Sequence, residues 1–216
     1  MGVVVDHFGL YWDGFVKTLG ICLWAGTGAL LLGTLLAALR VSPIPPLRGT
    51  GTAYVTLVRN CPLTVVLYFV AFGLPEVGIN QSYYRFAVGG LIVYTAAFVC
   101  EAVRSGINSV STGQAEAARA IGLTFGQSLR FVVLPQALRS VVPPVGSVLI
   151  AMVKNSAIVG AFGVGGELFN VGASLTGAQG FAALPVLTGV VLGYLAITIP
   201  AGVGLAALEH KVAVAR

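Results

Sequence analysis

Residues 111–135 read STGQAEAARAIGLTFGQSLRFVVLP, a polar and charged stretch set between long apolar runs. It holds Glu116-Ala117-Ala118, then Gly122 four residues after the last alanine, then Val132-x-Leu134-Pro135. Glu-Ala-Ala alone signals only a good helix former. The information is in the spacing. A short alanine-rich helix offers a flat face, a glycine at 122 takes away a side chain where two backbones come close, and Leu134-Pro135 redirects the chain into the next apolar segment.

The rest of the chain decides what surrounds this stretch. Of 216 residues, 57% are hydrophobic and only 9% charged, with a mean hydropathy of +0.95. A soluble domain carries about 25% charged residues, so this is an integral membrane protein. Charge-free runs mark the crossings: 18–39 between Lys17 and Arg40, 60–75 between Arg59 and Glu76, 86–100 between Arg85 and Glu101, then 140–153 and 168–208. A helix needs about 20 mostly apolar residues to cross the hydrocarbon, so the shorter runs extend through an ionisable residue. The result is an all-α protein with about five transmembrane helices, near 16–39, 53–74, 85–105, 133–154 and 184–208. Val41-Ser42-Pro43-Ile44-Pro45-Pro46 and Gly73-Leu74-Pro75 break the first two helices. The segment 154–169, with Gly160, Gly163, Gly165 and Gly166, reads as an irregular turn or short helix against the pathway, since glycine weakens regular helix.

Basic residues stay on the cytoplasmic side of a membrane. With the N-terminus outside, Arg40, Arg48, Arg104, Arg119, Arg130, Lys211 and Arg216 fall inside, against Lys17 and Arg85 outside. The net charge of +5 is therefore a topology signal and gives no support to nucleic-acid binding. The first charged residues are Asp6 and Asp13, so the first apolar run reads as a retained span and not a signal peptide. Cys22, Cys61 and Cys100 have no paired spacing, and His7 and His210 stand at opposite ends, which predicts neither disulfide nor metal site. No cofactor is implied. The chain has no Gly-x-x-x-x-Gly-Lys-Ser/Thr loop, so it does not cradle ATP by that route and is not itself an enzyme.

The spacing of Glu116, Ala117, Ala118, Gly122, Leu134 and Pro135 resembles the "EAA loop" of ABC importer permeases, with Val132 in place of the usual isoleucine. Tyr94 to Glu101, Arg104, Gly106 and Ile107 is similar to the family's helix end. Leu134-Pro135-Gln136-Ala137, Lys154-Asn155-Ser156 and Arg59-Asn60-Cys61-Pro62-Leu63-Thr64 match further family segments. Together they resemble the polar amino-acid branch, and most of all the glutamate-import permeases of actinobacteria. The resemblance implies a type I ABC importer permease fold. Residues 1–16 would be an extracytoplasmic segment and 17–208 the transmembrane domain, with its coupling loop at about 107–135. A cytoplasmic tail would follow at 209–216. It implies a bacterial plasma-membrane location with the N-terminus outside and the C-terminus in the cytoplasm.

Its implied partners are an ATP-binding subunit dimer, a second permease subunit, identical or homologous, an extracytoplasmic solute-binding protein, the amino-acid substrate and membrane lipid. Glu116, Ala117, Ala118, Arg119, Gly122, Leu134 and Pro135 would dock the ATPase, with Glu116 and Arg119 pairing with each other or with the partner. Charges at membrane depth cost about 2.5–3.5 kcal/mol each and are functional candidates. Arg59 suits the carboxylate of an amino acid and Glu101 its ammonium, with Thr64, Asn155 and Ser156 as neutral hydrogen-bonding groups. The structural alternative pairs Glu101 with Arg104. Rival functions are a permease for another polar amino acid (glutamine, aspartate or a basic one), an ATP-independent transporter or channel, or a scaffold without a pathway. The last two leave the spaced polar stretch unexplained.

Overall fold

The computed structural model describes residues 2–163 and 166–212. Its elements are α1 (Gly2–Asp6), α2 (Phe8–Val41), α3 (Pro45–Asn60), α4 (Leu63–Glu76), α5 (Tyr83–Asn108), α6 (Thr112–Ala120), α7 (Phe125–Ala161), α8 (Leu168–Gly177) and α9 (Ala183–Val212). Helices α2, α5, α7 and α9 are long and apolar enough to cross a membrane, and the bent pair α3–α4 makes a fifth crossing when counted as one. At 34 residues, α2 is about 50 Å long at a 1.5 Å rise, well beyond a hydrocarbon thickness of about 30 Å.

The second crossing is where the structure departs from the one helix expected near 53–74. Helices α3 and α4 meet at 103°. Pro62 has no N–H to donate and crowds Cys61 out of helical conformation, and Cys61 accordingly lies at φ −95°, ψ 133°. Prolines also explain two local widenings of the helical ladder. A π turn at Phe69–Gly73 precedes Pro75, and another at Leu129–Val133 precedes Pro135. In each case the proline leaves a carbonyl without its usual donor, and the π turn absorbs the mismatch.

The segment 154–169 also differs from expectation. Helix α7 runs on to Ala161, and turn residues follow at Phe162, Gly163 and Gly166. Gly160 stays helical because its missing Cβ leaves room for the carboxyl of Glu167. Val164 and Gly165 of this segment, and residues 213–216 of the C-terminal tail, lie outside the described residues.

Helix α5 forms the centre of the bundle, packed along α2 on one side and α7 on the other. Small residues set these approaches: a Cβ at Gly33 would lie 2.8 Å from the Ala96 carbonyl, and one at Gly106 would lie 2.7 Å from the Val141 Cα. The core is layered along the bundle. Leu36, Val55, Ala97 and Cys100 fill the end near α6, Ile21, Leu67, Leu91 and Met152 the middle, and Tyr11, Leu168, Leu175 and Val186 the far end.

Candidate functional site

The polar stretch folds into a helical hook at one end of the bundle. Helix α6 buries Ala118 and leaves Glu116, Ala117 and Arg119 exposed. It ends at Ile121, after which Gly122 adopts φ +87°. The Gly122 N–H reaches the Arg119 carbonyl (2.9 Å) and the Leu123 N–H the Ala118 carbonyl (3.2 Å), the paired bonds of a Schellman closure. Nothing stands within 4 Å of a Cβ placed on Gly122. Within this chain the glycine therefore serves a left-handed turn. Thr124 then caps α7 in a reciprocal arrangement with Gln127.

Two large apolar side chains project from the hook, Ile121 and Phe125, each 79% exposed. Between α6 and the start of α7 lies a hollow of about 290 Å3 lined by Ala115, Arg119, Phe125, Leu129 and Val133. Leu134 and Pro135 are exposed beside it. Arg119 does not pair with Glu116 but donates from Nε to the Ala115 carbonyl (3.4 Å). The hook is a rigid, capped body with an unburied apolar and charged face.

At the same end, Glu101 on α5 sits among three guanidinium groups. Arg40 of α2 forms a direct ion pair with Oε1, and Arg59 of α3 and Arg104 of α5 each approach that oxygen to 3.6 Å. The sequence reading chose Glu101 and Arg59 and weighed Arg104, but took Arg40 only as a loop cation. Its position at the end of an apolar run, level with a carboxylate sixty-one residues on, becomes visible only when α2 and α5 pack together. Three cations against one carboxylate answer its charge within the protein. Arg59, 46% exposed at its side chain, also lies over the Phe98 ring at 5.8 Å, a favourable cation–π placement.

Phe98 is the link to a cavity of about 130 Å3 between α5 and α7, whose wall includes Tyr94, Thr95, Met152 and Asn155. The hydroxyl of Thr95 is buried there without a hydrogen-bond partner. Thr95 has no charge or motif to draw attention to it in the sequence. The volume is below the about 300–1,000 Å3 of ordinary ligand pockets. Of the other expected site residues, Lys154 and Thr64 are exposed. Ser156 is fully buried, its hydroxyl donating to the Val153 carbonyl (2.7 Å) and lying 3.4 Å from the Tyr194 hydroxyl. It is thus engaged inside the bundle and does not line the cavity.

The opposite end holds a carboxyl that sequence reasoning missed. Glu167 is 0% exposed. Its oxygens accept from the Phe169 N–H (2.8 Å), the Asn170 N–H (2.9 Å) and the Tyr194 hydroxyl (2.5 Å). It caps α8 at its N-terminus and ties that helix to α9, while the Leu168 N–H donates to Thr18 of α2 (3.1 Å). The available signal was a lone acid just before an apolar ten-residue helix.

A helical bundle of membrane length carrying a capped Glu-Ala-Ala hook defines a permease of the type I importer class, the membrane component of an ATP-driven transporter whose ATP hydrolysis occurs in a separate subunit. The chain belongs to the family described as binding-protein-dependent transport system inner membrane component, whose model matches residues 29–213. It is 38% identical to the probable glutamine ABC transporter permease GlnM of Bacillus subtilis, over 98% of this chain and 97% of that one. It is 39% identical to the glutamate transport system permease GluC of Corynebacterium glutamicum, over 93% and 92%. Among solved structures, an amino acid ABC transporter crystallised with histidines superposes with a TM-score of 0.90 at 29% identity, over 97% of each chain. The inward-facing MetNI methionine ABC transporter superposes with a TM-score of 0.76 at 26% identity, over 97% and 99%.

Proposed function

We propose that this chain is the permease subunit of an ATP-driven glutamate importer in a bacterial plasma membrane. The observation that carries the coupling role is the hook. Its exposed Glu116, Ala117 and Arg119 and its projecting Ile121 and Phe125 form a face without a partner among the described residues, closed by the Gly122 turn. An ATP-binding subunit dimer docks there, with Leu134 and Pro135 at the base of the contact. A second permease, identical or homologous, completes the pathway, and an extracytoplasmic solute-binding protein delivers substrate at the far end.

Substrate contact falls to Arg59, Asn155 and Thr95. The exposed guanidinium of Arg59 suits the carboxylate that every amino acid carries, and Glu101 orients it from 3.6 Å. The Asn155 amide and the unpartnered Thr95 hydroxyl supply neutral hydrogen bonds from the cavity. Glutamate rests on the GluC relatives. The GlnM relative, covering nearly the full chain, favours glutamine as the second reading.

ATP-dependent uptake of radiolabelled glutamate into proteoliposomes holding the complete transporter tests the function, with glutamine as competitor. Uptake of neither would defeat the proposal, and preferential uptake of glutamine would select the second reading. Asn155→Leu, which keeps bulk but removes the amide, should reduce uptake about tenfold, the effect of one lost polar contact at an unreplaced partner. Gly122→Val should preserve subunit assembly while substrate-stimulated ATP hydrolysis falls, because a β-branched residue resists φ near +87°. Unchanged hydrolysis would remove the hook closure from coupling. For orientation, single cysteines from Ser82→Cys and Ser111→Cys, in a background lacking Cys22, Cys61 and Cys100, should label from opposite sides of the membrane.

A further inference from the structure

A groove of about 590 Å3 runs between α2 and α5 at the end away from the hook, open to the side of the bundle. Its α2 wall carries Trp24, Gly28 and Leu31, and its α5 wall Arg85, Gly89 and Ile92. Both sets repeat every three or four residues, so each is one strip of a helix face. The two helices run in the same direction: Gly20 sits against Tyr84, Gly28 against Ile92 and Gly33 against Val99. Seven residues of helix rise about 10 Å, which is about two-thirds of the roughly 15 Å of hydrocarbon in one leaflet.

The two wall glycines are not equivalent. A Cβ at Gly28 would lie 2.7 Å from Ile92 Cγ1, whereas one at Gly89 would meet nothing within 4 Å. Gly28 lets the helices touch, and Gly89 leaves the groove empty. Trp24, 62% exposed, stands along its edge. Arg85 is exposed at the mouth, two residues into α5, with Nη1 donating to Gln81 Oε1 at 2.8 Å. Among the described residues no carboxylate lies within 4.0 Å of it.

We propose that this groove is a binding site for one phospholipid, with an acyl chain between α2 and α5 and the phosphate on Arg85. The groove walls belong to membrane-spanning helices, so hydrocarbon is what reaches them sideways. The mouth presents a planar fork of donors that matches a phosphate, at the depth where the headgroup region begins. A second protein helix would fill the apolar length but would leave the Arg85 charge unanswered. The assignment is independent of the transported substrate.

The test is native mass spectrometry of the full chain extracted from membranes in a mild detergent, read for retained phospholipid. Gly89→Leu projects a side chain into the groove, where its Cβ has space. Gly204→Leu, on the exposed surface of α9 and equally unobstructed, is the control. The unaltered chain and Gly204→Leu should keep one phospholipid per protomer. Gly89→Leu should lower occupancy about tenfold, the effect of unburying two methylenes. Arg85→Gln should lower it about fivefold, the effect of losing one basic group at a lipid phosphate. Equal retention by Gly89→Leu and Gly204→Leu would overturn the site, and so would loss of a permease dimer in Gly89→Leu without loss of lipid, which would assign the groove to a second copy. Unchanged retention by Arg85→Gln would overturn the phosphate contact.

Discussion

Glu101 and Glu167 sit near opposite ends of the bundle and solve the burial of a carboxyl in different ways. Glu101 keeps about a third of its side chain exposed and gathers Arg40, Arg59 and Arg104 from three helices. Glu167 has no exposure and, among the described residues, no cation in ion-pair range; two backbone N–H groups and a tyrosine hydroxyl bond to it. The first is an electrostatic junction with positive charge to spare, still partly open to solvent. The second is a local cap held by three fixed donors, suited to holding α8 in place. Buried charge is costly unless answered, and the answer chosen separates a working junction from a structural anchor.

The largest effect that could break this contrast is at the anchor. Glu167→Ala leaves three donors unsatisfied inside the bundle, each worth about 1–3 kcal/mol, together with a void. Thermal unfolding in detergent should show a loss of about 4 kcal/mol after the usual non-additivity. A loss below about 1 kcal/mol would mean that water reaches the site and that the anchor reading is wrong.

Glu101→Gln should cost less, about 2–3 kcal/mol, between the range of exposed ion pairs and that of fully buried ones. The cost should appear together with reduced uptake, because Arg59 loses its orientation. Adding Arg40→Gln should recover part of the stability, and the double-mutant cycle measures the pair directly. Full uptake by Glu101→Gln would reduce the junction to a structural feature like its counterpart. The smallest effect is expected from Tyr194→Phe, which removes one hydrogen bond to Glu167 at about 1.5 kcal/mol and should leave uptake per folded transporter unchanged. A change in uptake would give the anchor a part in transport and sharpen the comparison in the opposite sense.

The crossings were legible because hydrocarbon imposes a long apolar run that no other environment demands. Helices α5 and α9 lie within a few residues of their expected positions. The hook was legible for a different reason: Gly122 and Pro135 act through local backbone chemistry, and local chemistry is written in consecutive residues. Misreadings occurred where a local signal met a tertiary constraint. Pro62 falls inside a single expected span, and the same residue marks a bend of 103° within it. Gly160 was read as a helix breaker, though packing against Glu167 makes it the one residue that fits.

The amino-acid sequence by itself determined the membrane class, the approximate crossings, the absence of an ATP-binding loop of the Walker type and the polar stretch that folds into the hook. These follow from composition, period and spacing, whose energies are summed over neighbours in the chain. The tertiary structure alone decided that Arg40 meets Glu101 across sixty-one residues, that Thr95 shares a cavity with Asn155, and that Tyr194 closes on Glu167. Those pairings depend on how far each helix is rotated and how deep it sits. Packing of small residues such as Gly33 and Gly106 sets both, and that packing is a property of two helices together and of neither sequence alone.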